Sequence, residues 1–386
     1  MTNTANPLKR LGAVRVSDFL ARYWQREVLC VREAIADFAS PVTPSRLFAL
    51  ARDPRVESRL VSAFAGRWKL RPGPIPKAAL PPLGRPGWTL LVQGVDLHDA
   101  AVWSLAARFR FLPAACFDDV MISFASDGGG VGPHVDQYDV FLLQAQGRRR
   151  WRVATEFDPQ PLAGVPLRLL AKFRHEHEWV LEPGDLLYLP PGVAHEGVAL
   201  GQSITISIGF RVPARQEILE AWYDYQTHSA PRIGYLAERA RSPRTSPARL
   251  PSTLVQSALR ELRRAQPGRS DVRRALLEHL SEPKPAVVFA RRRAAADRAR
   301  FAAAARRRGL LLDMRTRMLY AGAHIAINGE IQPQLPREAR NLLHRLADRQ
   351  QLAAGAFDGV GAASARALLS LFHEWYRSGW LHLAAK

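Results

Sequence analysis

The chain of 386 residues reads as an α+β protein: a central all-β body, a helical stretch behind it, and a small mixed unit at its C-terminal end. Three observations predict this. Between about 117 and 212, short apolar runs follow one another with Gly and Pro between them, the pattern of a sandwich or barrel. From Arg215 the apolar spacing changes to a helical period. The remaining C-terminal stretch mixes strand and helix patterns within a small unit.

The elements follow in order. Val16 to Trp24 predicts a short helix entered through Ser17 or Asp18 as cap, and Thr43-Pro44-Ser45 opens a second capped helix. Leu29 to Val31 and Trp88 to Gly94 are strand candidates, and Leu97 to Phe109 a helix. The β region then gives Val120 to Ala125, Val140 to Leu143, Trp151 to Ala154, Glu178 to Leu181, Asp185 to Leu189 and Ser203 to Val212. Glu217 to Tyr225 is helical, Arg241 to Pro251 loose, and further helices run over 252–265 and 270–280 before the break Ser281 to Pro285. Met318 to Gly322 and His324 to Glu330 read as strands, with Asn328-Gly329 as a turn, and Pro336 to Arg349 and Gly361 to Arg377 as helices. Strands and helices in so small a unit fit a winged-helix-like module.

Composition narrows the class. Hydrophobic content of 47% is that of a soluble globular chain, and no run reaches membrane-span length. The start at Met1 has no apolar core behind its charges, so it is not read as a secretory signal. Two cysteines, Cys30 and Cys116, offer no disulfide framework and fit a reduced cytoplasm. The net charge of +20 suits polyanions or their protein coats; an Arg-rich composition colouring every surface explains it equally. Direct nucleic-acid contact therefore stays open.

The chemistry lies in two segments. In His134-Val135-Asp136 an imidazole and a carboxylate two residues apart share one strand face. Gly184 to His195 ends in a second imidazole. Two His and one carboxylate form the ligand set of non-haem Fe(II) oxygenases, with positions left open for a co-substrate and O2. Both segments fall where a strand meets a turn, the place a double-stranded β-helix presents ligands. Their Gly, Pro and His spacing resembles the paired cupin motifs, with Asp136 where a plain cupin often has His.

Such an oxygenase needs a source of two electrons, usually 2-oxoglutarate, whose far carboxylate needs a buried cation. Arg suits this because its fork binds carboxylate bidentately. In the segment Gly147 to Val153, Arg149, Trp151 and Val153 share one strand face, the interior one, which makes Arg149 the candidate. Ser123 could add a hydrogen bond to the same carboxylate. Asp118, Asp119 and Asp139 lie close in sequence to this pocket and could hold a cationic side chain, and Tyr138 could stack on a planar guanidinium. His175 and His177 lie in a charged stretch without Gly or Pro and read as solvated surface.

Met121-Ile-Ser-Phe, Gly128 through Phe141, and Gly147 through Val153 resemble the bacterial ribosomal oxygenases of the JmjC type, and the likeness runs from Phe19 into the C-terminal unit. The resemblance implies a JmjC/cupin catalytic domain with N-terminal elaboration over 1–212, a helical dimerisation segment over 213–285 and hence a homodimer, and a winged-helix domain over 286–386. It implies Fe(II) at His134, Asp136 and His195, and 2-oxoglutarate held by Arg149. It further implies O2-dependent hydroxylation of an arginine on a large-subunit ribosomal protein, with Asp118, Met121 and Tyr138 lining the arginine pocket. Demethylation by the same iron site, and a non-catalytic cupin that binds ribosome or RNA, are the alternatives.

Overall fold

The computed structural model describes residues 6–64, 66–229, 250–264, 266–292 and 297–385. The first residues from Met1 and most of the loose stretch Arg241 to Pro251 lie outside the described residues.

The central body is a ten-stranded antiparallel sheet that folds round on itself. Its strands follow in the order Leu29–Val31, Leu186–Leu189, Asp139–Ala154, Ala194–Phe210, Phe117–Ala125, Trp88–Val92, Ser58–Phe64 and Arg67–Pro72. His177–Leu181 also pairs with Asp139–Ala154, and His134–Val135 with Ala194–Phe210. Val140–Leu143 and Trp151–Ala154 are therefore not two strands but parts of one. The polar run Gln144 to Arg150 hides this continuity in the sequence. Gly147 carries the chain through the middle: its φ is +64°, and a Cβ there would stand 2.0 Å from Gln202 O.

Alternation along these strands gives the sheet two buried faces. The outer face packs Phe124, Phe141, Leu143, Ile206 and Ile208 against the N-terminal helices and Phe109. The inner face carries Val140, Leu142, Trp151, Val153, Leu187 and Leu189.

The N-terminal segment departs from the expected capped helix. One turn, Val16–Asp18, starts behind Arg15 with no side-chain cap, so neither Ser17 nor Asp18 caps it. A π-helical turn follows over Phe19–Tyr23. Core packing decides this, because Phe19 is fully buried with its ring 4.9 Å from Tyr188 and 5.5 Å from Phe141. The cap at Thr43 forms as expected, accepting from Arg46 N at 3.3 Å. The hairpin Ser58–Phe64 and Arg67–Pro72 escapes a sequence reading, because basic residues interrupt its alternation.

Helices Arg215–Ser229, Ser252–Arg264 and Arg269–Ser281 follow the sheet. The C-terminal unit has a core of its own, built from Phe301, Leu312, Leu342, Leu346, Phe372 and Trp375. Its helices Arg298–Arg308, Arg337–Arg349 and Ala362–Ser378 pack with two small three-stranded sheets. Asn328 and Gly329, with φ of +50° and +83°, form the turn between His324–Ile327 and Glu330–Ile331. Arg110 Nη2 donates to Ala347 O at 2.8 Å, and Arg317 Nη2 to Phe117 O at 3.0 Å, tying this unit to the central body. No described helix is long and apolar enough to cross a membrane.

Candidate metal and co-substrate site

The two motif segments meet on the inner face. His195 pairs in register with His134 on one side and Val153 on the other. Asp136 lies two residues beyond His134, and its carbonyl accepts from Gly192 N at 2.8 Å, so the Pro190-Pro191-Gly192 turn is fastened to the first motif. Gly192 is the residue able to make that turn, at φ +83°.

Ligand atoms of His134, Asp136 and His195 all lie within 4.8 Å of one another. Asp136 Oδ2 is 3.8 Å from His134 Nε2 and 3.7 Å from His195 Nε2. Each imidazole is fixed from behind: His134 Nδ1 is 2.9 Å from Gly132 O and His195 Nδ1 is 3.1 Å from Val193 O. Donation from Nδ1–H leaves both Nε2 lone pairs for a cation, the usual arrangement behind a metal-bound His. Burial, with His134 beside it, holds the His195 imidazole down at about 4, so it is neutral at pH 7. Two imidazoles with a carboxylate are a donor set that fits a divalent transition metal.

Arg149 lies along the same ladder, opposite Ala199, where Trp151 faces Gly197. It is 3% exposed, and no described carboxylate pairs with it. Nη1 donates to Ser123 Oγ at 3.2 Å and Nη2 to Gly197 O at 3.1 Å, while Nε has no partner. The guanidinium lies 5.1 Å from the Trp151 ring. Burial alone pushes it down to about 10. A buried cation with an unused donor beside a metal-type triad fits the carboxylate of a bound acid. Gly197 makes the room: a Cβ there would stand 2.7 Å from both Arg149 Nε and the Trp151 ring.

Comparison with known proteins agrees with this architecture. The JmjC domain family model matches residues 104–218, and the ROXA-like winged helix model matches 259–382. The chain is 40% identical over 232 residues to the ribosomal protein uL16 3-hydroxylase of Escherichia coli. That match covers 60% of this chain and 62% of the relative, less than two thirds of its length. The solved structure of YcfD, a ribosomal oxygenase from Escherichia coli, superposes with a TM-score of 0.82 at 31% identity, covering 98% of this chain and 100% of that one. A second YcfD structure, in complex with cobalt and 2-oxoglutarate, has a TM-score of 0.81 at 31% identity, over 97% of this chain and 99% of that one.

The chain belongs to the JmjC ribosomal oxygenases.

The remaining site candidates separate. Ser123 stands against Arg149, as its strand position predicts. Met121, half-buried, shares the inner face and pairs with Ser207. Tyr138 packs against the inner-face core, and burial together with the neighbouring Asp136 carboxylate raises its phenol. Asp118 forms an ion pair with Lys284. Asp119 accepts from Gln93 Nε2 at 2.7 Å and Gly94 N at 3.1 Å. Asp139 does not face the pocket. It accepts from the Tyr188 hydroxyl and, at 3.0 Å, from Gln25 Nε2, so its carboxylate is committed to the outer side of the sheet. His175 and His177 are exposed, the first 3.8 Å from Glu178 and the second stacked on Trp179. Sequence reasoning missed Gly197 and Lys284. The Gly-Val-Ala strand around Gly197 held a weak signal, since an interior strand glycine often marks a close approach. Lys284 held none.

Proposed function

We propose that this chain is an Fe(II)- and 2-oxoglutarate-dependent oxygenase that hydroxylates an arginine side chain of a large-subunit ribosomal protein, uL16. The observation that carries the reading is the convergence of His134, Asp136 and His195 beside the buried, unpaired Arg149. Similarity to the Escherichia coli ribosomal protein uL16 3-hydroxylase and to the YcfD complex with cobalt and 2-oxoglutarate supports it.

Fe(II), which His134, Asp136 and His195 would hold, would together with 2-oxoglutarate supply the O2-activating chemistry. The chain's own part is placement. His134 and His195 present Nε2 because their Nδ1 atoms are tied to the backbone. Arg149 receives the far carboxylate of the co-substrate, with Ser123 at its side. Val140, Leu142, Leu187 and Leu189 wall the inner face with apolar groups and exclude water. Met121 and Tyr138 flank the target side chain, and Asp118 takes the guanidinium. Holding the target carbon in place is what this geometry contributes to rate.

The division into a catalytic domain over 1–212, a helical segment over 213–285 and a winged-helix domain over 286–386 belongs to the same reading. Val255, Leu259 and Leu262 form an exposed apolar stripe on Ser252–Arg264, which suits a second copy of the chain. The reading places the protein in the cytoplasm, with its substrate.

Incubating the iron-loaded protein with 2-oxoglutarate and uL16 gives succinate and a product heavier by one oxygen atom, and Asp136→Ala gives neither. Release of formaldehyde from a methylated substrate, without a stable hydroxylated product, would instead mean demethylation. Full function in Asp136→Ala would mean a non-catalytic binding module.

A further inference from the structure

An irregularity in the central pair of strands brings two acids to one side. Val120 pairs with Ile208 and Phe117 with Phe210, so Asp118 and Asp119 together oppose Gly209. Two residues against one is a bulge, which re-aims side chains. A Cβ built on Gly209 would stand 3.7 Å from Asp118 Cβ and 3.8 Å from Asp119 Oδ1, so both acids leave the sheet on the same face. Asp96 is the third member of the group, accepting from Val120 N at 2.8 Å.

The three acids are held differently. Asp96 and Asp119 are buried and each accepts from a backbone N–H. Asp118 has no backbone donor, and its hydrogen-bond partner among the described residues is the Lys284 ammonium. The Asp118 and Lys284 side chains are 27% and 36% exposed, so another cation can reach them. They border a cleft between the central body and the C-terminal unit, walled by Trp103, Phe117, Phe210 and Arg317. The charges of Asp119 and Asp118 also act on Tyr138, whose phenol is raised by burial and Asp136. Asp118 thus lines the cleft at the end of the strand that carries Met121 and Ser123.

We propose that Lys284 is an internal substitute for the substrate's guanidinium: its ammonium holds the Asp118 carboxylate until an arginine side chain displaces it. This rests on the assignment of Asp118 as the guanidinium partner. The chemistry favours exchange in that direction. Lysine offers a flexible, strongly hydrated point charge, whereas a guanidinium grips a carboxylate with two parallel hydrogen bonds. A neutral isostere of arginine cannot replace the ammonium, since it would leave Asp118, among three acids, with only the buried Arg317 guanidinium nearby, whose own hydrogen bond goes to Phe117 O. The exchange therefore makes arginine selection a competition inside the protein. Because Lys284 lies in the break between helix Arg269–Ser281 and the C-terminal unit, the placement of that unit sets how firmly the competitor is held.

The test uses the metal-loaded full chain and two uL16 peptides, one with a single arginine and one with citrulline in its place. Lys284→Met binds the arginine peptide roughly two- to fivefold tighter, the range expected for a partly exposed pair, and binds the citrulline peptide as before. In turnover KM falls by the same factor while kcat and the 2-oxoglutarate KM are unchanged. Lys284→Arg, which keeps the charge, shows none of this gain. Asp118→Asn loses the preference for arginine over citrulline. If Asp118→Asn loses that preference but Lys284→Met binds the arginine peptide no tighter, the displacement is overturned and the guanidinium assignment survives. If wild type shows no arginine preference, or Asp118→Asn keeps it, the assignment itself fails and the displacement with it.

Discussion

Replacing Arg149 by Met separates two effects of opposite sign. Without co-substrate, the guanidinium is a buried charge with no carboxylate to offset it. Its depression from 12.5 to about 10 by burial corresponds to about 3 kcal/mol of unfavourable free energy for keeping it charged at neutral pH. A lowered folded pKa on a base means that the unfolded chain binds the proton more readily. Stability therefore rises with pH between the folded and unfolded values, and the full cost is carried at pH 7. Met fills a similar volume and removes the charge. Its loss of the bonds to Ser123 and Gly197 returns about 1 kcal/mol each. The metal-free variant is thus expected to be more stable than wild type by about 1 kcal/mol in urea unfolding. In the presence of 2-oxoglutarate the order reverses. Wild type gains about 2.7 kcal/mol at a ligand concentration a hundredfold above Kd, and the variant, lacking a charge-assisted partner worth about 3 kcal/mol, gains almost none. Calorimetric titration with 2-oxoglutarate and paired urea curves measure both quantities. A variant that is less stable when ligand-free, yet binds 2-oxoglutarate like wild type, would refute the reasoning.

Three other changes test separate parts of the structure. Gly197→Ala drives a methyl against Arg149 Nε and Trp151 and is expected to destabilise by about 1–3 kcal/mol and weaken 2-oxoglutarate binding, read by thermal melts and calorimetry. Leu259→Glu puts a charge into the apolar stripe of Ser252–Arg264 and should shift sedimentation from dimer to monomer without loss of far-UV signal. In the C-terminal unit burial works against the Asp313 carboxylate, but hydrogen bonds from Arg315 and His382 more than offset it and hold its pKa below the ordinary value. The resulting stability is present above the unfolded carboxylate pKa and is lost as pH falls toward the folded one, so acid unfolding followed by Trp380 fluorescence should be shallower in Asp313→Asn.

The metal triad was legible because it depends on local spacing. His134 and Asp136 are two apart on one strand, and the turn glycines before His195 carry their own signature. Arg149 was legible for a related reason: strand alternation assigned it to the face of Trp151 and Val153, and that face is the buried one. Where a side chain's partner is remote in sequence, the reading stopped. Asp118 and Lys284 are brought together by packing between units, and nothing in either segment announces the other. Asp139 shows the opposite failure, since proximity in sequence to Asp136 suggested a shared pocket while the pleat turns its carboxylate to Tyr188 and Gln25. The N-terminal turn followed the demand of Phe19 for the core rather than the preference of Ser17 and Asp18 for a cap.

The unbroken register from Ala194 to Leu200 against strand Asp139–Ala154 carries both a candidate metal ligand and the buried cation, with His195 opposite Val153 and Ala199 opposite Arg149. Four residues of extended backbone separate those rungs, roughly 13 Å of nearly inextensible chain. With the proposed ligands, such a rail would gauge the length of an acid spanning from metal to guanidinium. A diacid one methylene shorter or longer meets a frame that cannot slide to suit it, because a slip of one residue would turn every side chain on the rail to the wrong face.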